Sequence, residues 1–208
     1  MSRGRLFIVS APSGGGKTSL ARGAMERLSR RGIEVVFSVS TTTRPPRSGE
    51  QDGVHYHFVD DATFVAMIGR GEFLEHAEVF GKRYGTSRDR TLAALDAGRD
   101  LILDIDWQGA RQVKALMPEA IAIFILPPSL AELERRLRGR GQDDDAVIGR
   151  RMVAAQAEMS HYAEYDYLVV NETFETALDD LTALFLAPRL ERAGQAERNA
   201  ALIRELLA

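Results

Sequence analysis

The chain has no cysteine, which excludes disulfides, thiolate nucleophiles and cysteine metal sites together and fits a reducing, cytoplasmic setting. No apolar stretch approaches the roughly 20 residues that a membrane span requires. The longest, 120–126, stops at Pro127 and Pro128, and the run at 6–9 breaks into glycines too soon to be a secretion signal. No membrane partner is expected. Charge of one sign is also missing: 27 Lys and Arg against 30 Asp and Glu leave a net −3. No nucleic-acid partner is expected from that balance, and any anion binding must come from local arrangement. The four histidines, His55, His57, His76 and His161, are not grouped as a metal site would need. An Asn-Lys-x-Asp loop, which a regulatory GTPase would use to read guanine, is absent.

What is present suits one α/β domain, with 208 residues of which 45% are hydrophobic. Continuous apolar runs of strand length fall at 6–9, 35–39, 101–105, 120–126 and 167–170. Unbroken runs mark strands buried on both faces, and helices between them imply a parallel sheet with right-handed crossovers. Helical patterns occupy 17–31, 87–97 and 111–117, with Gly32 and Gly98 placed to cap the first two. The fold expected is therefore a three-layer α/β fold with a central parallel sheet, built from core segments 1–37, 87–128 and 166–208. Two insertions interrupt it. Segment 38–86 is short-stranded and turn-rich, with an alternating stretch at 54–59 and a helix starting near Asp60, and predicts a small antiparallel subdomain. Segment 129–165 is charged and helical, broken by Gly139, Gly141 and the aspartates at 143–145, and predicts a mobile helical lid. The tail, 173–208, is amphipathic helix broken at Pro188.

Directly after the first apolar run stands Ala11-Pro12-Ser13-Gly14-Gly15-Gly16-Lys17-Thr18, followed by a helical pattern. This is a phosphate-binding P-loop in its strand-to-helix setting. Its glycines let backbone N–H groups and the helix N-terminus face an anion. Lys17 adds a charge, and Thr18 or Ser19 offers a hydroxyl to a magnesium ion. Ala11 stands where the motif usually has glycine. Asp104 and Asp106 end the run at 101–105, at the carboxyl edge where open α/β sheets bind ligands. Asp104 is placed to orient the magnesium's water shell. Asp106 is placed to face an acceptor or to cap the next helix.

Further on, Thr42-Thr43-Arg44-Pro45-Pro46-Arg47 is followed by Glu50, Gly53, Tyr56 and Phe58. Two arginines flanking stiff prolines suit a doubly charged phosphate. This spacing resembles the GMP-binding signature of the guanylate kinases. The resemblance extends to 38–40, 72–75, 81–86, 103–109 and 136–141, in order along nearly the whole chain.

The resemblance implies a kinase that transfers the γ-phosphate of ATP to GMP with Mg2+, within purine metabolism. It implies that Glu75, Ser40, Asp106 and Thr86 recognise guanine, and that Arg44, Arg47, Tyr56 and Tyr84 hold the GMP phosphate. It places the donor on residues 11–19, with Asn171 near its adenine and with Thr18 and Asp104 serving the metal. It assigns Lys17, Arg136, Arg140 and Arg151 to catalysis, the arginines closing with the lid. Such a lid suits phosphoryl transfer, which depends on alignment and cations and must exclude water. Two other readings stay open from the sequence: a P-loop kinase for a different phosphorylated acceptor, and a non-catalytic binding module of the same fold. The sequence also leaves oligomerisation open.

Overall fold

The computed structural model describes residues 3–79, 81–139 and 144–208. In chain order they form β1 (Leu6–Ser10), α1 (Lys17–Ser29), β2 (Val35–Phe37), β3 (Thr41–Thr42), β4 (His57–Phe58), α2 (Asp61–Gly69), β5 (Phe73–Val79) and β6 (Lys82–Ser87). These are followed by α3 (Arg88–Asp96), β7 (Asp100–Asp104), α4 (Trp107–Leu116), β8 (Ile121–Leu126), α5 (Leu130–Arg138) and α6 (Asp145–Met159). The chain ends in β9 (Tyr167–Val170), α7 (Phe174–Leu186), α8 (Arg192–Arg198) and α9 (Ala200–Leu206). No helix among the described residues is long and apolar enough to cross a membrane.

Among the described residues two sheets form. The larger has the order β2-β7-β1-β8-β9 with every neighbouring pair parallel. The five apolar runs are its five strands because the central ones are covered on both faces. Phe7, Val9, Ile102, Ile123 and Ile125 pack against Leu20, Leu28, Leu181 and Phe185 of α1 and α7. The alternate residues Leu6, Ile8, Leu101, Leu103 and Ala122 pack against Leu95 of α3 and Ala110 and Val113 of α4. Each fully buried Leu, Ile or Phe contributes about 1.5–3 kcal/mol relative to exposure, so the two faces supply the main hydrophobic driving force of the fold. β9 departs from the expected burial: it is an edge strand, and of its four residues only Val169 is buried. Its apolar run serves a single inward side chain. β1 lies between β7 and β8, so chain order reverses around it. The carboxyl ends of β1 and β7 open into the crevice where α/β sheets bind ligands.

The second sheet has the order β4-β3-β6-β5. It is mixed, not antiparallel as the alternating pattern predicts. β3 pairs with β4 in parallel and with β6 antiparallel, and β6 pairs with β5 antiparallel. A parallel pair needs a crossover of a dozen or more residues, and loop 43–56 supplies it. That loop also takes 54–56 out of the expected strand, leaving His57–Phe58 in the sheet, Tyr56 in an isolated bridge with Asp52, and Val54 exposed.

Helix starts follow side-chain caps. Asp60, Ser87, Asp106, Ser129, Asp144 and Thr173 each accept from the backbone N–H three residues on. Because of the Asp106 cap, α4 begins at Trp107, four residues before the expected 111. The glycine at 109 hides that start from a propensity reading. The helical insertion contains α5 and α6, whose Leu133, Leu137 and Ala155 form a small core of their own. The tail returns to the sheet through Arg189, which bonds buried Asp100 at 2.5 Å.

Candidate active site

β1 delivers the P-loop to the crevice. Ser10 donates from its buried hydroxyl to the Ile105 carbonyl at 2.6 Å, fastening the end of β1 to the turn after β7. Residues 11–16 then fold back, with the Gly15 N–H donating to Pro12 at 2.8 Å. Gly14 and Gly16 have φ of 89° and 92°, which L side chains rarely adopt, and Gly16 opens α1. At Gly16 a side chain would also meet the Asn171 amide at 2.4 Å. Ala11, in place of the usual glycine, fits because Gly15 opposite it is bare: a Cβ there would approach the Ala11 methyl to 3.0 Å.

Asn171, expected near adenine, does not line the cleft. It is 5% exposed, and its amide donates to the Gly15 carbonyl at 2.9 Å, bracing the loop from behind across 156 residues of sequence. Nothing in the local sequence signals that contact.

Lys17 projects from the first turn of α1 and pairs with Asp104 at the end of β7. The other Asp104 oxygen lies 3.5 Å from the Thr18 hydroxyl. A hydroxyl and a carboxylate meeting beside a phosphate cradle form a hard oxygen donor set, which suits a small divalent cation.

Two further acids line the cleft, Glu75 from the second sheet and Asp106 from the turn after β7. Glu75 on β5 is 3% exposed, and its Oε1 accepts from the Thr86 hydroxyl on β6 at 2.6 Å. Burial pushes its pKa up to about 7, with a smaller contribution from Asp106, against the lowering bond from Thr86. Asp106 accepts from the Gly109 N–H at 3.1 Å and from the Gln108 amide at 3.0 Å, so it caps α4 while its carboxylate lines the cleft. One cleft of about 360 Å³ brings together residues 11–19, Ser40, Tyr56, Glu75, Tyr84, Asp104 and Asp106. Thr86 stands behind Glu75.

Arg44 and Arg47 lie at the cleft's rim rather than in its lining. The Arg44 guanidinium bonds Glu50 at 2.8 Å and sits 5.3 Å from the centre of the Tyr56 ring, with the Tyr84 hydroxyl also in reach. The Arg47 N–H donates to the other Glu50 oxygen at 2.7 Å. Arg44 and the Arg47 backbone hold the Glu50 carboxyl down to about 2. Glu50, which sequence reasoning left without a role, holds the Arg44 side chain and the Arg47 backbone.

The lid side is placed as follows. Arg136 on α5 bonds Glu132 at 2.7 Å and the Asn171 carbonyl at 3.1 Å, and does not line the cleft. Arg151 lies on α6. Arg140 is outside the described residues. α5 rests on the phosphate loop: a Cβ on Gly14 would come within 3.1 Å of Leu133 and Leu137.

Sequence reasoning also missed Glu158, near the end of α6. It lines the cleft together with Ser13 and Lys17, and its Oε2 is buried with no hydrogen-bond partner among the described residues. Burial raises its pKa, nearby Lys17 lowers it, and Asp106 raises it. A carboxylate there stands in the cleft that the phosphate loop lines and repels a bound phosphate. Glu158→Gln is expected to tighten nucleoside diphosphate binding about fivefold, the worth of roughly 1 kcal/mol of partly solvated repulsion. Calorimetric titration measures it, and weaker binding would assign Glu158 to holding the ligand.

A parallel sheet with a P-loop at its carboxyl edge, facing a small sheet that carries the buried Glu75, defines a P-loop nucleotide-binding protein with room for a second ligand. The family model described as guanylate kinase matches residues 3–187. The chain is 57% identical over 208 residues to a guanylate kinase of Salmonella choleraesuis and 56% identical to that of Escherichia coli K12, covering 100% of each protein in both cases. It also resembles the crystal structure of guanylate kinase from Anaplasma phagocytophilum. There the TM-score is 0.74 at 36% identity, over 92% of this chain and 89% of that one. The chain belongs to the guanylate kinase family.

Proposed function

We propose that this chain transfers the γ-phosphate of ATP to GMP, giving ADP and GDP. The observation that carries the reading is the buried Glu75–Thr86 pair, with Asp106 beside it, facing the phosphate loop across one cleft. Guanine presents N–H donors on one edge, where a carboxylate accepts and an adenine would leave it unpaired. Arg44, with Glu50 setting its direction, and the Tyr56 and Tyr84 hydroxyls suit the acceptor phosphate at the rim. Arg47, three residues on, is the second cation suited to that phosphate.

ATP phosphates fit the amides of residues 13–18 with Lys17. A magnesium ion, when bound, would neutralise charge on the outer donor phosphates; Thr18 and Asp104 are the residues that would hold it. An oxygen of the GMP phosphate attacks the γ-phosphorus in line, the bond to the β-phosphate oxygen breaks, and ADP leaves. The attacking oxygen is already anionic, so no general base is needed. Lys17 faces the charge that develops. Arg136, Arg140 and Arg151 would join it when the lid closes, which for Arg136 requires exchanging Glu132 and Asn171 for phosphate. The cysteine-free composition supports a cytoplasmic setting.

The test is ADP release from magnesium and ATP with GMP, AMP, CMP, UMP or a ribose bisphosphate supplied separately, beside a control without acceptor. Turnover is expected with GMP alone. Turnover with another acceptor would remove the guanine reading and keep the kinase. Silence with every acceptor would favour a binding module.

A further inference from the structure

Gly109 sits in the first turn of α4 and is not among the glycines with positive φ. Its backbone accepts any L residue, and alanine there would favour the helix. What excludes a side chain is space. A Cβ at 109 would lie 2.5 Å from Glu75 Oε2, 3.1 Å from Glu75 Cδ and 3.3 Å from Ile105 Cδ1.

Glu75 is tethered where it stands. Its other oxygen is held by Thr86 at 2.6 Å. Its strand is pinned to α4 by Gln112, whose amide oxygen accepts from the His76 N–H at 3.1 Å and whose amide nitrogen donates to the His76 carbonyl at 2.8 Å. At the same time the Gly109 N–H donates to Asp106.

We propose that Gly109 is a positioning residue for base recognition: its bare α-carbon sets where the Glu75 carboxylate stands, and its N–H aims Asp106, so one residue places both acids. The inference rests on the proposed reading of guanine by these acids.

The full chain is tested as Gly109→Ala, Glu75→Ala and the double variant. Each is assayed for KM and kcat with GMP and with IMP, which lacks the 2-amino group, and for ADP binding and thermal melting. Gly109→Ala is expected to raise the KM for GMP about tenfold or more and to lower the GMP-to-IMP preference, with kcat changed much less and ADP binding unchanged. In the Glu75→Ala background, which vacates the space, the same substitution should add nothing. Equal losses in both backgrounds, or no change in KM from Gly109→Ala alone, would overturn the proposal. If Gly109→Ala does not fold, a double variant that melts like Glu75→Ala supports the contact, and one that also fails to fold overturns it. Unchanged GMP kinetics in Glu75→Ala would instead take base reading away from Glu75 and this inference with it.

Discussion

Replacing Lys17 with alanine is expected to lower turnover by about a thousandfold or more, roughly 4 kcal/mol of transition-state stabilisation, while the chain stays folded. The size follows from the chemistry, because phosphoryl transfer leaves the protein little to do beyond aligning groups and offsetting charge. Lys17 is the cation the phosphate loop itself supplies. Retention of the fold follows from its surroundings: Lys17 stands at the cleft-facing start of α1 and belongs to neither hydrophobic cluster. Its partner Asp104 has a side chain 35% exposed and can hydrate when left alone. Turnover from ADP release and a circular-dichroism melt measure the two halves. Activity retained within tenfold would place the transferring phosphate away from this loop.

Glu75→Gln is expected to move function and stability in opposite directions. Gln offers guanine one acceptor and one donor where the carboxylate offers two acceptors, so a donor is left facing a donor. The loss in kcat/KM for GMP should be about a hundredfold or more. Stability shifts the other way because Glu75 is buried beside Asp106 and its pKa rises from 4.5 to about 7. Between those values the folded chain holds a proton that the unfolded chain has released, so stability falls as pH rises through the window. Ionising Glu75 above pH 7 therefore costs the empty protein about 3 kcal/mol. Gln does not titrate. The variant should match the parent near pH 4 and be the more stable of the two at pH 8, in denaturant melts with no ligand. GMP, pairing with the ionised form, should bind the parent more weakly as pH drops below 7, and the variant should keep only the part of that dependence that comes from the GMP phosphate, whose second pKa is about 6. Parallel stability curves would mean that Glu75 is hydrated rather than buried.

The central sheet could be read from the chain because its strands are covered on both faces and so appear as unbroken apolar runs. Burial leaves that mark without any knowledge of partners. The P-loop was equally plain, since its conformation demands glycines in a fixed order. The second sheet was less legible. Its strands at 41–42 and 57–58 are two residues long, and their parallel pairing depends on loop 43–56, not on any alternation. The contacts by which residues support the site from a distance left no trace, even where the family resemblance had pointed to the residue itself, as at Asn171. Asn171 braces Gly15, Gln112 pins His76, and Gly109 makes room for Glu75. In each case the partners meet only because the fold brings separate segments together, and a periodic pattern holds no information about such meetings.

The only tryptophan in the chain, Trp107, follows Asp106 directly and lies flat against His161, with ring centres 3.7 Å apart and planes 10° from parallel. His161 comes two residues after α6 ends, and Glu164 bonds both it and Arg111. The indole therefore stands between the acceptor pocket and the root of the helical insertion. Its emission is a built-in optical gauge of whether that root is seated, readable on the native chain without attaching a dye.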